Sequence, residues 1–162
     1  MPESVKKNLL GRTVTSSTYK TPQGQQGEKK TVTNKKGEVV RSESKLSNGS
    51  KSSMRKGLMG RKIEKGQTED RSYRKVTSKS GDTREVKNTT KRAQDYEKTR
   101  FTPDSVKKKQ VLKNNSLVKE KTTAIKDGKK TATDTRKFSY GKGSVTQKQT
   151  MKTNSPSGKT TT

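Results

Sequence analysis

Ten short clusters of neighbouring basic residues carry the plainest chemistry in this sequence. They are Lys6-Lys7, Lys29-Lys30, Lys35-Lys36, Arg55-Lys56, Arg61-Lys62, Arg74-Lys75, Lys91-Arg92, Lys107-Lys108-Lys109, Lys129-Lys130 and Arg136-Lys137. With Arg12 they form a candidate nucleic-acid-binding set spread over the whole length. Ammonium and guanidinium groups attract phosphates and release counterions, without reading base sequence. Lysines outnumber arginines about three to one, which favours point-charge attraction over bidentate reading of guanine. In a strand, neighbouring side chains point to opposite faces. A doublet there would offer one cation to phosphate and the other to a protein.

A second set of residues could anchor the chain. Tyr19, Tyr73, Tyr96, Phe101, Phe138 and Tyr140 are all of its aromatic rings, and several stand beside lysine or arginine. Rings in that setting can stack on unpaired bases, but so few rings fit better as docking anchors on a protein surface. Leu9-Leu10 and Leu58-Met59, each followed by Gly-Arg, are further anchor candidates.

Catalytic chemistry finds no residues to work with. The chain has no histidine and no cysteine, so a Ser-His-Asp triad, a zinc finger and a disulfide framework are all excluded. Ser157-Gly158-Lys159-Thr160 echoes a phosphate-binding loop. The motif needs another glycine where Thr153 stands, and only two residues follow Thr160. The sequence therefore predicts no enzyme, cofactor, metal or small-molecule substrate.

Composition says what could hold these groups in place. The formal charge is +26 over 162 residues, and only 20% of residues are hydrophobic. Ordering a backbone costs about 1–2 kcal/mol per residue, and apolar burial ordinarily offsets it. Low hydropathy with high net charge predicts a chain that is mostly irregular, extended and non-globular, and disordered without a partner. The excess charge calls for a polyanion. The N-terminus lacks the apolar segment of a secretory signal. No apolar run is long enough for a membrane span.

Within this single extended chain, three segments share a β-branched run, then x-Lys-x-Gly, then another run with Val or Thr. They predict short β-hairpins over 29–41, 74–87 and 121–133, turning near Gly37, Gly81 and Gly128. Asp127-Gly128 also suits a two-residue type I′ turn. A second echo joins residues 2–10 to 103–112. Thr102 as N-cap, Pro103 and Asp104 predict a short basic helix over 103–113, stopped by Asn114-Asn115. One or two helical turns are predicted over 90–100. Residues 42–53 and 21–27 read as linkers and 150–162 as a flexible tail.

In composition the chain resembles the basic proteins that line viral capsids or thread through ribosomes. Together these features predict a non-enzymatic structural protein of a nucleoprotein assembly. The expected setting is a virion, with the chain between capsid and packaged nucleic acid, bound without sequence specificity. Two alternatives remain. One is a protein-only capsid cement or strap that adds strands to its neighbours. The other is a disordered chromatin, RNA-binding or ribosome-associated protein of the host cytoplasm or nucleus.

Overall fold

Threonine, valine and isoleucine favour the pleated backbone, and glycine or asparagine supplies the positive φ of tight turns. This chain alternates the two along its length. The computed structural model describes residues 3–57, 59–94, 102–154 and 160–161. Among them there are strands and turns but no helix. Contacts divide the chain into two units, residues 1–83 and 84–162.

The first unit contains β1 (Glu3–Lys7), β2 (Thr13–Lys20), β3 (Gln26–Thr33), β4 (Val39–Leu46), β5 (Lys51–Lys56), β6 (Lys62–Gln67) and β7 (Arg71–Thr77). Each strand pairs antiparallel with the next, so the unit is a seven-stranded meander. One turn design recurs. The N–H of the first turn residue donates to the carbonyl of the fifth, and the N–H of the fourth, a glycine, donates back to the carbonyl of the first. Asn8/Gly11/Arg12, Thr21/Gly24/Gln25, Asn34/Gly37/Glu38, Leu46/Gly49/Ser50, Gly57/Gly60/Arg61 and Ser78/Gly81/Asp82 all follow it, with N···O distances of 2.7 to 3.2 Å. The glycine has φ between 67° and 91° in every case, as a type I turn closed by a left-handed residue requires. Side chains reinforce the frame. Asn8 Oδ1 accepts from the N–H groups of Leu10 and Arg12, and Asn34 Oδ1 from those of Lys36 and Glu38.

The second unit takes in β8 (Thr83–Arg92), which begins at its border, then β9 (Ser105–Lys113), β10 (Ser116–Lys126), β11 (Lys129–Gly141), β12 (Ser144–Asn154) and β13 (Thr160–Thr161). These also pair antiparallel in sequence order. The β9–β10 and β10–β11 connections have only two residues each. Asn114 (φ 48°) and Asn115 (φ 66°) make one, Asp127 (φ 48°) and Gly128 (φ 71°) the other. Two consecutive positive φ values give a type I′ turn, whose twist matches that of the flanking strands.

The irregular, partner-dependent chain expected from composition is therefore overturned: this is a well-ordered, predominantly stranded protein. The premise about apolar material still describes it, since no hydrophobic side chain is buried among the described residues. What the expectation left out is that long strands satisfy their backbone groups in ladders. β11 and β12 alone pair ten residues with ten. Repeated local turns also keep most pairings close in sequence, so the loop-closure entropy for those strands is small.

The helix over 103–113 is likewise overturned. Residues 105–113 form β9, and Asn114-Asn115 turns a hairpin rather than ending a helix. Asp104 caps the neighbouring turn instead: its Oδ2 accepts the Asp127 N–H at 2.6 Å and its Oδ1 accepts from Lys126 Nζ at 3.2 Å. Of the expected helix over 90–100, residues 90–92 belong to β8 and 95–100 lie outside the described residues. The linkers over 21–27 and 42–53 are turns and strand ends of β3, β4 and β5. Of the segment 150–162, residues 150–154 continue β12 and 160–161 form β13.

Candidate polyanion-binding face

Cross-strand register fixes which side chains share a face, because directly paired residues point the same way. In the second unit one set of pairs runs Thr90–Lys107–Thr123–Thr133–Lys152 from β8 to β12. The next runs Asn88–Lys109–Lys121–Thr135–Thr150 and the next Val86–Val111–Lys119–Lys137–Lys148. Arg84 and Lys113 close the same face at one end. All of its lysines and Arg84 are exposed. No carboxylate of β8–β12 lies on it.

The three acidic residues of these strands, Glu85, Glu120 and Asp134, all lie on the opposite face, where each meets a cation. Lys87 Nζ is 3.4 Å from Glu85, Lys108 Nζ 3.1 Å from Glu120, and Arg136 Nε 3.0 Å from Asp134. Burial alone would raise the Glu120 carboxyl. Hydrogen bonds from the Gln110 amide and the Lys108 ammonium, with the charges of Lys108 and Arg136, outweigh burial and hold it below its ordinary value. Tyr140 (51% exposed), Val145 (62%) and Met151 (61%) also lie on this compensated face by register.

The acid-free face also sets like charges against each other. Lys109 is directly opposite Lys121, and Lys119, Lys137 and Lys148 stand in line on β10, β11 and β12. Paired Cβ atoms in such positions are about 4.5–5.5 Å apart, and like charges there are destabilising. Among the described residues none of these lysines is in an ion pair. An anion laid across the face would remove the repulsion.

The first unit has like pairs too: Arg41 faces Arg55, Lys45 faces Lys51, Lys56 faces Lys62 and Lys65 faces Arg74. Here acids are interleaved. Glu28 is opposite Lys45, Glu43 is opposite Lys30 and 2.6 Å from Arg41, and Glu64 is opposite Lys75 and 2.8 Å from Lys62. A groove of about 890 Å³ in this unit is lined mainly by such lysines, by Glu28 and Glu43, and by serines. The second unit thus carries the more one-sided charge.

The basic doublets come apart along this fold. Lys107, Lys109, Lys137 and Arg92 share the acid-free face, whereas Lys108, Arg136 and Lys91 point the other way. Lys6, Lys30, Arg55 and Arg74 occupy one face of the first unit, and their neighbours Lys7, Lys29, Lys56 and Lys75 the other, with Lys62. Lys35 and Lys36 sit in a turn, Arg12 and Arg61 close turns, and Lys129-Lys130 open β11. Arg84, Lys113, Lys119, Lys121, Lys148 and Lys152 were not singled out by doublets. The spacings Lys107-x-Lys109 and Lys119-x-Lys121 were the available signal, since residues two apart share a face.

The anchor candidates have mixed fates. Tyr19 is opposite Gly27 and Tyr73 opposite Gly66. Each ring lies so close over its glycine that an added Cβ would fall 2.5 Å or less from it. Tyr140 donates its hydroxyl to the Leu117 carbonyl at 2.7 Å. These three rings are engaged within their own sheets. Phe138 is half-buried on the compensated face. Leu9, Leu10 and Met59 stand exposed in turns. Leu58, Tyr96 and Phe101 lie outside the described residues.

Among the described residues there is no cluster of acidic side chains able to hold a metal ion, and no helix is long and apolar enough to cross a membrane. No known protein family, no curated protein and no solved structure matches this chain.

Proposed function

We propose that this protein is a non-enzymatic structural component of a nucleoprotein assembly, and that the second unit holds nucleic acid by its phosphates without reading sequence. The observation that carries this is the segregation of charge across β8–β12: exposed lysines and no carboxylate on one face, every carboxylate on the other. A folded surface with uncompensated, opposed cations gains most from a ligand of dense negative charge. The setting we infer is a particle such as a virion. There the lysine face would meet packaged nucleic acid and the compensated face, with Tyr140, Val145 and Met151, would meet shell protein.

The test is duplex binding by the full chain, followed by fluorescence anisotropy over a salt series. Affinity should fall by orders of magnitude between about 50 and 200 mM salt if six or more phosphates are contacted. The triple variant Lys109→Glu, Lys121→Glu, Lys137→Glu should lose about tenfold or more beyond a charge-matched triple in the first unit, Lys20→Glu, Lys45→Glu, Lys65→Glu. Equal losses would show that net charge alone binds, and that the face has no special part. A flat salt response would refute phosphate binding and favour attachment to protein.

A further inference from the structure

We infer, resting on that reading, that the lysine face takes the outer wall of a nucleic-acid duplex in preference to an unpaired strand. Two features of the face carry this. The first is its layout. Lys107 and Lys109 on β9, Lys119 and Lys121 on β10, Lys137 on β11 and Lys148 on β12 form a net in two dimensions. Its spacings are those of a sheet, about 4.8 Å between strands and about 6.7 Å between same-face neighbours along one strand. An unpaired strand lies across such a net as a line and meets one lane of lysines at a time. A duplex presents two rows of phosphates, with one charge per about 1.7 Å of axis against about 3.4 Å for either strand alone. It can neutralise several lanes together.

The second feature is what the face lacks. Proteins that prefer unpaired strands add stacking on aromatic rings, worth about 1–3 kcal/mol per base. Among the described residues the lysine face has no ring. Phe138 and Tyr140 belong to the opposite face, and the Tyr140 hydroxyl is spent on Leu117. Between the lysines stand Thr133 and Thr135, half-buried residues whose hydroxyls can donate to phosphate oxygens but offer no surface for a base. With no arginine at its centre the net also lacks the fork that reads guanine. The ligand this face suits is therefore defined by backbone charge and stiffness.

The experiment compares the full chain on a mixed-sequence duplex and on oligo(dT) of equal length, by anisotropy at several salt concentrations, with tyrosine emission recorded in parallel. The chain has no tryptophan, so that emission is readable. The duplex should bind about tenfold or more tighter, with a steeper salt slope, and tyrosine emission should not be quenched by oligo(dT). Tyr140→Ala should leave the preference unchanged. Equal or tighter binding of oligo(dT), or a preference abolished by Tyr140→Ala, overturns the inference while leaving phosphate binding intact. Binding of neither ligand overturns the function it rests on.

Discussion

Tyr73 and Gly66 form a pair in which neither residue does well alone. Glycine in a strand has no side chain to contact its neighbours and costs backbone entropy. The Tyr73 ring lies over it and covers the bare ladder, as aromatic residues do when they compensate strand glycines. Tyr73→Ala should destabilise the first unit by about 1 kcal/mol, the upper range for a cross-strand pair. In a Gly66→Ala background, where the new methyl already displaces the ring, the same change should cost less. Urea denaturation of the four proteins gives the coupling, and simple additivity would show that the ring does not act through the glycine. Glu120 makes a prediction of another kind. Its carboxyl is held below its ordinary value in the folded unit. It thus contributes stability that is present above the unfolded value and is lost as pH falls through the folded one. Melting temperature should drop as pH is lowered from about 5 towards 3, and the drop should be smaller in Glu120→Gln. An unchanged pH profile in that variant would mean that Lys108 and Gln110 do not hold the carboxylate in solution.

At the scale of the hairpin, the turns set the register and so decide which cations share a face. Asn34 Oδ1 accepts two backbone N–H groups of its turn, at 2.9 and 3.0 Å, and its amide donates to Glu38 Oε2 at 2.9 Å. Asn34→Ala should cost about 1 kcal/mol, and Gly37→Val, which forces a branched side chain to φ 77°, about 1–2 kcal/mol. In the second unit the sign reverses: Asn115→Gly should stabilise by about 0.5 kcal/mol, because the second residue of a type I′ turn is best served by glycine. Thermal unfolding followed by circular dichroism at 218 nm, the usual strand signal, checks all three. Glycine after a lysine-rich turn was a legible signal at 37, 81 and 128. Glycines 11, 24, 37, 49 and 60 recur every 11 to 13 residues, and that shorter beat was hidden because the flanking strands read as Ser-rich linker. The 103–113 stretch reads as a helix for a different reason. Thr-Pro-Asp is good N-terminal helix chemistry, and only the long-range acceptance of the Asp127 N–H by Asp104 shows which turn the carboxylate serves.

For the molecule as a whole the balance lies between ladders and charge. With +26 net charges the free protein should gain stability as sodium chloride rises from about 0.05 to 0.5 M, because the screening length shrinks from above 10 Å to a few ångströms. A melting temperature that falls over that range would mean that ion pairs such as Asp134–Arg136 outweigh the repulsion. The strongly cationic character and the shortage of apolar side chains were plain from composition. Faces were not, because a face exists only once register is set, and a slip of one residue would exchange Lys109 for Lys108 across the whole sheet. One consequence follows from the near absence of enclosed side chains among the described residues, where Thr123, at 9% exposed, is the buried polar one. A protein built around a nucleus of fitted hydrophobic groups has a size that its interior dictates. Each meander here is assembled as a fence is, panel after panel, and losing a panel opens no hole. Chains lacking one internal hairpin of the first meander, or carrying a duplicate of it, are expected to remain ordered, so that length itself becomes adjustable to whatever the protein must cover.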